Sequence, residues 1–215
     1  VAQGIGCTGR NNRMAERMIL MELTKELLAE WISRFYEKIQ NNKGYLSDLD
    51  AAIGDGDHGN NMARGMQAVT ESLEKNETAD TTQSLKLIAM ALISKVGGAS
   101  GPLYGTAFLE MAKASNDTKD LGELLQKALS GIEKRGGAQP NDKTMVDVWN
   151  KVVSKADDSS LTNADIEAAV ESTKDMVAKK GRASYLGERS VGHLDPGAVS
   201  SGYLFEALLE AEGSL

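Results

Sequence analysis

Residues 23–39, LTKELLAEWISRFYEKI, decide the fold class. Leu23, Leu27, Trp31 and Phe35 recur every four residues, and Leu28, Ile32 and Ile39 widen the same stripe. This is the 3.6-residue period of an amphipathic helix and not the alternation of a strand. The period returns at Met62, Met66, Val69 and Leu73, and again at Leu85, Ile88, Ala89, Leu92, Ile93 and Val96, where Gly97 and Gly98 stop it. Past Pro102 it runs through Leu103, Ala107, Phe108 and Met111, then through Leu121, Leu124, Leu125, Ala128, Leu129 and Ile132 to a stop at Gly136 and Gly137. A sixth helix carries Met145, Val148, Val152 and Val153. A seventh opens with Thr162 and Asp165 in capping-box spacing and is expected to bury Ile166, Val170, Thr173 and Val177. The eighth runs from about Ala198 through Leu204, Phe205, Leu208 and Leu209. No segment shows a convincing period of two. The expectation is an all-α antiparallel bundle of about eight helices, with short connections making neighbours of consecutive elements.

The chain has 215 residues, enough for one compact domain with a real core. Its 24 Lys+Arg against 31 Asp+Glu give a net charge of -7, which argues against binding to a nucleic acid. Nothing approaches the roughly 18 apolar residues of a membrane span, so no membrane partner is expected. A single cysteine, Cys7, can make neither an internal disulfide nor a cysteine-rich metal site, and the cytoplasm is the expected location. Residues 1–20 lack the apolar stretch of a secretory signal and precede the periodic pattern. They read as a leader or disordered arm, with residues 21–215 as a single helical domain.

Three stretches between the helices carry unusual chemistry. DAAIGDGDHGNN at 50–61 places Asp50, Asp55 and Asp57 within eight residues, among glycines that allow a tight fold. Converging carboxylates with no thiolate suit a hard cation, Mg²⁺ or Ca²⁺. The EF-hand template fails, because position six from Asp55 is Asn60 and position twelve is Met66. Gly54, Gly56 and Gly59 match G-x-G-x-x-G by letter, but no strand precedes them, and the acidic residues between them would repel a bare pyrophosphate. A solvated acidic turn capping the second helix is the alternative. The stretch GGASGP at 97–102 precedes a helix, where exposed N–H groups and the Ser100 hydroxyl could cradle a phosphate; a tight turn packed with small residues is the alternative. No Walker pattern occurs. The segment 179–197 carries Lys179, Lys180, Arg182 and Arg189 against Glu188 and Asp195. A basic lid over an acidic site suits phosphoryl transfer, and surface charge on a connector is the alternative.

Read together, several blocks resemble the L subunit of dihydroxyacetone kinase: Leu49-Asp50, IGDGDHG at 53–59, Asn61-Met62, VGGASGP at 96–102, DKTM at 142–145, GRASYLGERS at 181–190 and DPG at 195–197. The likeness spans nearly everything from Leu23 onward, in the expected order. It implies an eight-helix barrel with a nucleotide site at its open end and a lid loop. Asp50, Asp55 and Asp57 would hold two Mg²⁺ ions. His58, Asn61, Ala99, Ser100, Gly136, Met145, Arg182, Asp195 and Gly197 would contact ADP or ATP, with Arg182 also catalytic. Gly136 and Met145 come from the resemblance alone; by the residues they read as a helix stop and a core side chain. His58 and His193 are the only histidines. Beside three carboxylates, His58 suits a nucleotide or supporting contact better than a general base. The resemblance further implies that ADP is kept as a cofactor and recharged by a phosphotransferase-system phosphohistidine protein. The phosphoryl group then passes to dihydroxyacetone on a K subunit. A directly ATP-dependent kinase module and a non-catalytic helical metal-binding regulator stay open, as does a homodimer.

Overall fold

The computed structural model describes residues 21–157 and 161–214, so the leader or arm expected at 1–20 lies outside the described residues. Among the described residues run eight α-helices: α1 (Lys25–Ile53), α2 (His58–Glu74), α3 (Thr81–Lys95), α4 (Ser100–Ala114), α5 (Leu121–Gly136), α6 (Met145–Asp157), α7 (Asn163–Ser172) and α8 (Pro196–Ser214). Two 3₁₀ segments, Thr173–Asp175 and Arg182–Ser190, lie between α7 and α8. The β pairing among the described residues is one isolated bridge, Glu22 to Asp120. No helix among them is long and apolar enough to cross a membrane.

Helix starts follow from local chemistry. The Thr24 hydroxyl accepts the Leu27 N–H, Asp80 and Gln83 form a capping box, Asp120 accepts the Glu123 N–H, and Thr162 pairs with Asp165 as the spacing predicts. Each such cap stabilises its helix by about 1 kcal/mol. At the other end of α5, Gly137 takes the left-handed conformation at φ 62°, which a side chain would resist.

Each helix packs on its neighbour in the chain, and α8 returns to pack on α1 as well as on α6 and α7. The apolar stripes meet in a core holding Trp31, Phe35, Tyr104, Phe108, Trp149 and Phe205, all essentially inaccessible. Trp149 meets Phe205 edge-on at 4.8 Å, a geometry that suits the ring quadrupoles. At the α1–α8 seam the Trp31 indole N–H donates to the Leu204 carbonyl at 2.7 Å, and Lys38 pairs outside with Glu206 and Glu210.

The stripes are less regular than their spacing suggests. Leu23 is buried but precedes α1, in an extended stretch whose N–H donates to the Lys119 carbonyl. Ile93 lies on the expected apolar face of α3 yet is 43% exposed. The seventh helix ends at Ser172, so Val177 falls outside it; Ile166 and Thr173 are buried, whereas Val170 and Val177 are half-buried.

Candidate functional site

The acidic segment is shorter than a twelve-residue loop. Leu46 and Ile53 are buried and Leu49 packs on the core, which carries the apolar stripe of α1 through Ile53. Asp50 therefore sits in the last turn of α1, Asn61 lies inside α2, and the connection itself is 54–57. Asp50 Oδ2 accepts the N–H groups of Asp57 (2.9 Å) and His58 (3.1 Å), which wraps the turn around its carboxylate. A Cβ on Gly54 would collide with the Asp50 side chain, and one on Gly59 would overlap the Lys43 carbonyl. Asp50, Asp55 and Asp57 thus each present an oxygen, all within 4.8 Å of one another. An all-oxygen set of three carboxylates fits Mg²⁺. The Arg182 guanidinium reaches across from the lid and pairs with Asp55.

The α3–α4 junction supplies the next wall. Val96 is extended, Gly98 has φ 65°, and α4 starts at Ser100 with its first N–H groups unpaired within the helix. Asn61 lies against Gly97, where a Cβ would press on its amide at 2.8 Å. Arg64 fixes that amide, donating to Asn61 Oδ1 (2.6 Å) and to the Lys95 carbonyl (2.9 Å). Ser100 Oγ lies 3.1 Å from His58 Nδ1, and His58 Nε2 lies 3.0 Å from Ser200 Oγ. Burial pushes the His58 pKa down to about 4, against the opposing pull of Asp57 and the Pro196 carbonyl, so the ring is neutral at physiological pH.

Gly136, Met145, Asp195 and Gly197 complete the enclosure. Asp195 Oδ2 accepts the Ala198 N–H at 2.7 Å and caps α8, with Pro196 in the first helical position. Burial pushes the Asp195 carboxyl up to about 7; Asp147 and Asp50 push the same way, while the Ala198 N–H and Lys143 oppose them.

The lid, expected as a long polar loop, folds into the 3₁₀ segment Arg182–Ser190, broken at Gly187 (φ 56°). Ala178 and Ala183 bury against Ile53 with Leu186 beside them. Its base rests on Lys143, which sequence reasoning did not single out. This side chain is 1% exposed, and its ammonium donates to the carbonyls of Thr173 (2.7 Å), Met176 (3.2 Å), Lys174 (3.4 Å) and His193 (2.5 Å). It joins the two feet of the lid. Asp147 holds the turn carrying Lys143, accepting the N–H groups of Asn141 (2.5 Å) and Thr144 (2.7 Å). Lys143 lies in the DKTM block, but nothing in its spacing marks a buried lysine.

All twelve residues singled out as metal or nucleotide contacts line one cavity of about 500 Å³. His193 is exposed and does not line it. Leu103, Ile132, Ala138 and Val146 add an apolar wall, and Arg135 and Lys180 add charge. Leu103 and Ile132 belong to the apolar stripes of α4 and α5, and periodicity cannot separate a core contact from a cavity lining. The cavity offers clustered carboxylates, a helix N-terminus and an apolar wall, which suits a ligand with an anionic tail carried on cations and a flat apolar body.

A family model described as DAK2 domain matches residues 52–210. The PEP-dependent dihydroxyacetone kinase 1, ADP-binding subunit DhaL, of Listeria innocua is 52% identical, with 90% of this chain and 100% of the relative covered. The PTS-dependent dihydroxyacetone kinase, ADP-binding subunit DhaL, of Lactococcus lactis is also 52% identical, with 87% and 98% covered. Among solved structures, the dihydroxyacetone kinase from C. freundii in complex with AMP-PNP and Mg²⁺ matches at TM-score 0.71 and 21% identity. That match covers 98% of this chain and 37% of the kinase, so this chain spans little more than a third of the kinase's length, and the likeness speaks for the fold. With a domain match over most of its length and half its residues shared with full-length relatives, the chain belongs to the DAK2 domain family, among the DhaL-type subunits of dihydroxyacetone kinase.

Proposed function

We propose that this chain is the ADP-holding subunit of a cytoplasmic dihydroxyacetone kinase. It takes a phosphoryl group from a phosphotransferase-system phosphohistidine protein and passes it to dihydroxyacetone held on a partner K subunit. The observation that carries this reading is the convergence of Asp50, Asp55 and Asp57, the α4 N-terminus at Ser100 and an apolar wall on one cavity. The printed names of the Listeria and Lactococcus relatives, both ADP-binding subunits matched over nearly their whole length, support it.

Asp50, Asp55 and Asp57 would hold two Mg²⁺ ions, which would supply positive charge against the phosphates. The N–H groups at Ala99 and Ser100 would face the phosphates, with His58 and Asn61 fixing that wall. Gly136, Met145, Asp195 and Gly197 would border the nucleoside. Arg182, already poised at Asp55, neutralises charge on the transferring group, and the lid excludes water that would hydrolyse the nucleotide.

Calorimetry with ADP and Mg²⁺, together with nucleotide analysis of the purified protein, tests this. ADP retained through desalting at near one per chain is the expected result. Free exchange for ATP favours a directly ATP-dependent kinase module instead. An absence of nucleotide binding overturns both readings and leaves the metal-binding regulator.

A further inference from the structure

Six side chains from four helices form an unbroken hydrogen-bonded file between the core and the cavity. The Trp149 indole N–H donates to Ser201 Oγ at 3.2 Å. Tyr104 Oη lies 2.9 Å from Ser201 Oγ and 2.8 Å from Ser200 Oγ. Ser200 Oγ is 3.0 Å from His58 Nε2, and His58 Nδ1 is 3.1 Å from Ser100 Oγ at the cavity. Trp149, Tyr104, Ser200 and Ser201 are completely buried, so no solvent proton intervenes among them.

Counting protons along the file leaves two polarities at the ring, to which the Pro196 carbonyl adds only an acceptor. Each hydroxyl carries one proton, a ring held between two hydroxyls needs only one N–H, and the indole can only donate. In the inward arrangement Ser200 donates to the Gly197 carbonyl (3.1 Å), the ring donates from Nε2 to Ser200, and the Ser100 proton points at Nδ1. In the outward arrangement Ser201 donates to Tyr104, Tyr104 to Ser200, Ser200 to Nε2, and the ring donates from Nδ1 to Ser100 Oγ. The Ser100 proton is then free to enter the cavity. An oxyanion at Ser100 demands that proton and selects the outward arrangement, in which each bond polarises the next.

Resting on the nucleotide reading, we propose that a phosphate in the cavity turns this file outward. Tyr104 and Ser200 are then positioning residues: they fix His58 as its Nδ1–H tautomer so that Ser100 donates to the phosphate. The chain's two histidines make this directly measurable. Protein labelled with ¹⁵N-histidine gives two sets of ring signals, and a His193→Gln variant identifies those of His58. In the ADP–Mg²⁺ complex of the wild-type protein, His58 is expected as Nδ1–H. Ser200→Ala is expected to move the ring toward Nε2–H and weaken ADP binding about tenfold, the scale of one lost charge-assisted hydrogen bond. Tyr104→Phe, which leaves Ser200 in place, is expected to weaken it less. An Nε2–H or doubly protonated ring in the wild-type complex overturns the inference, as does wild-type ADP affinity in Ser200→Ala. Failure of the wild-type protein to bind ADP at all is seen separately by calorimetry and removes the nucleotide reading together with this one.

Discussion

The acidic turn and the lid meet through the Asp55–Arg182 pair, yet the protein holds them in opposite ways. The turn is four residues between two long helices, drawn in by backbone N–H groups donating to one carboxylate. The lid is anchored at its feet by one buried ammonium and along its length by a small cluster of Ile53, Ala178 and Ala183, while Tyr185 near its middle is 87% exposed. A dense backbone network fixes charge where a cation must be held. A segment with few buried contacts opens at low cost where a ligand must enter.

Four substitutions would break or sharpen that contrast. The largest effect is expected for Arg182→Ala, which removes the charge the lid brings to the turn. Phosphoryl transfer should fall on the order of 1000-fold, by analogy with arginines that neutralise phosphoryl charge, while thermal stability barely changes because this side chain is exposed. A wild-type transfer rate would remove Arg182 from the chemistry. On the turn side, Asp57→Asn should weaken Mg²⁺-dependent ADP binding on the order of 100-fold in calorimetry, the scale of one lost charge-assisted contact of roughly 3 kcal/mol. Its circular dichroism should match the wild type.

Lys143→Met tests the anchor. Four carbonyls lose their shared donor, and a loss of roughly 2–3 kcal/mol in urea unfolding is expected. Trypsin should then cut faster at Lys179, Lys180, Arg182 or Arg189, and cleavage confined to other sites would show that the lid does not depend on this ammonium. The smallest effect concerns Asp195. Its folded carboxyl, raised by burial to about 7 from the ordinary aspartate value of 3.8, holds a proton that the unfolded chain has already released. Stability of the metal- and nucleotide-free protein therefore falls as pH rises from about 4 to about 7 and stays low above that. Asp195→Asn, which can still cap α8, should raise the melting temperature by a few degrees at pH 8 and not at pH 4.5.

The helices were legible because each buries a stripe whose period survives in the sequence, as at Leu27, Trp31 and Phe35. Asp50 was legible as a candidate ligand but not as a helical residue, since a polar residue in the last turn of a helix looks like one in a loop. The 3₁₀ fold of the lid escaped because it rests on Ala178, Ala183 and Ser190, small residues with no periodic signature. Lys143 escaped for a related reason. Its burial is set by carbonyls 30 to 50 positions away, which no local pattern encodes.

The contact between α1 and α8 has a consequence for biosynthesis. The carboxylates at 50–57 emerge from the ribosome early, whereas Asp195, Gly197 and Ser200 emerge some 140 residues later. Until α8 docks, the earlier helices expose the flank that Phe205 and Leu208 will cover. That docking is a long-range closure of the kind that slows folding, and it leaves this flank uncovered until α8 itself has been made.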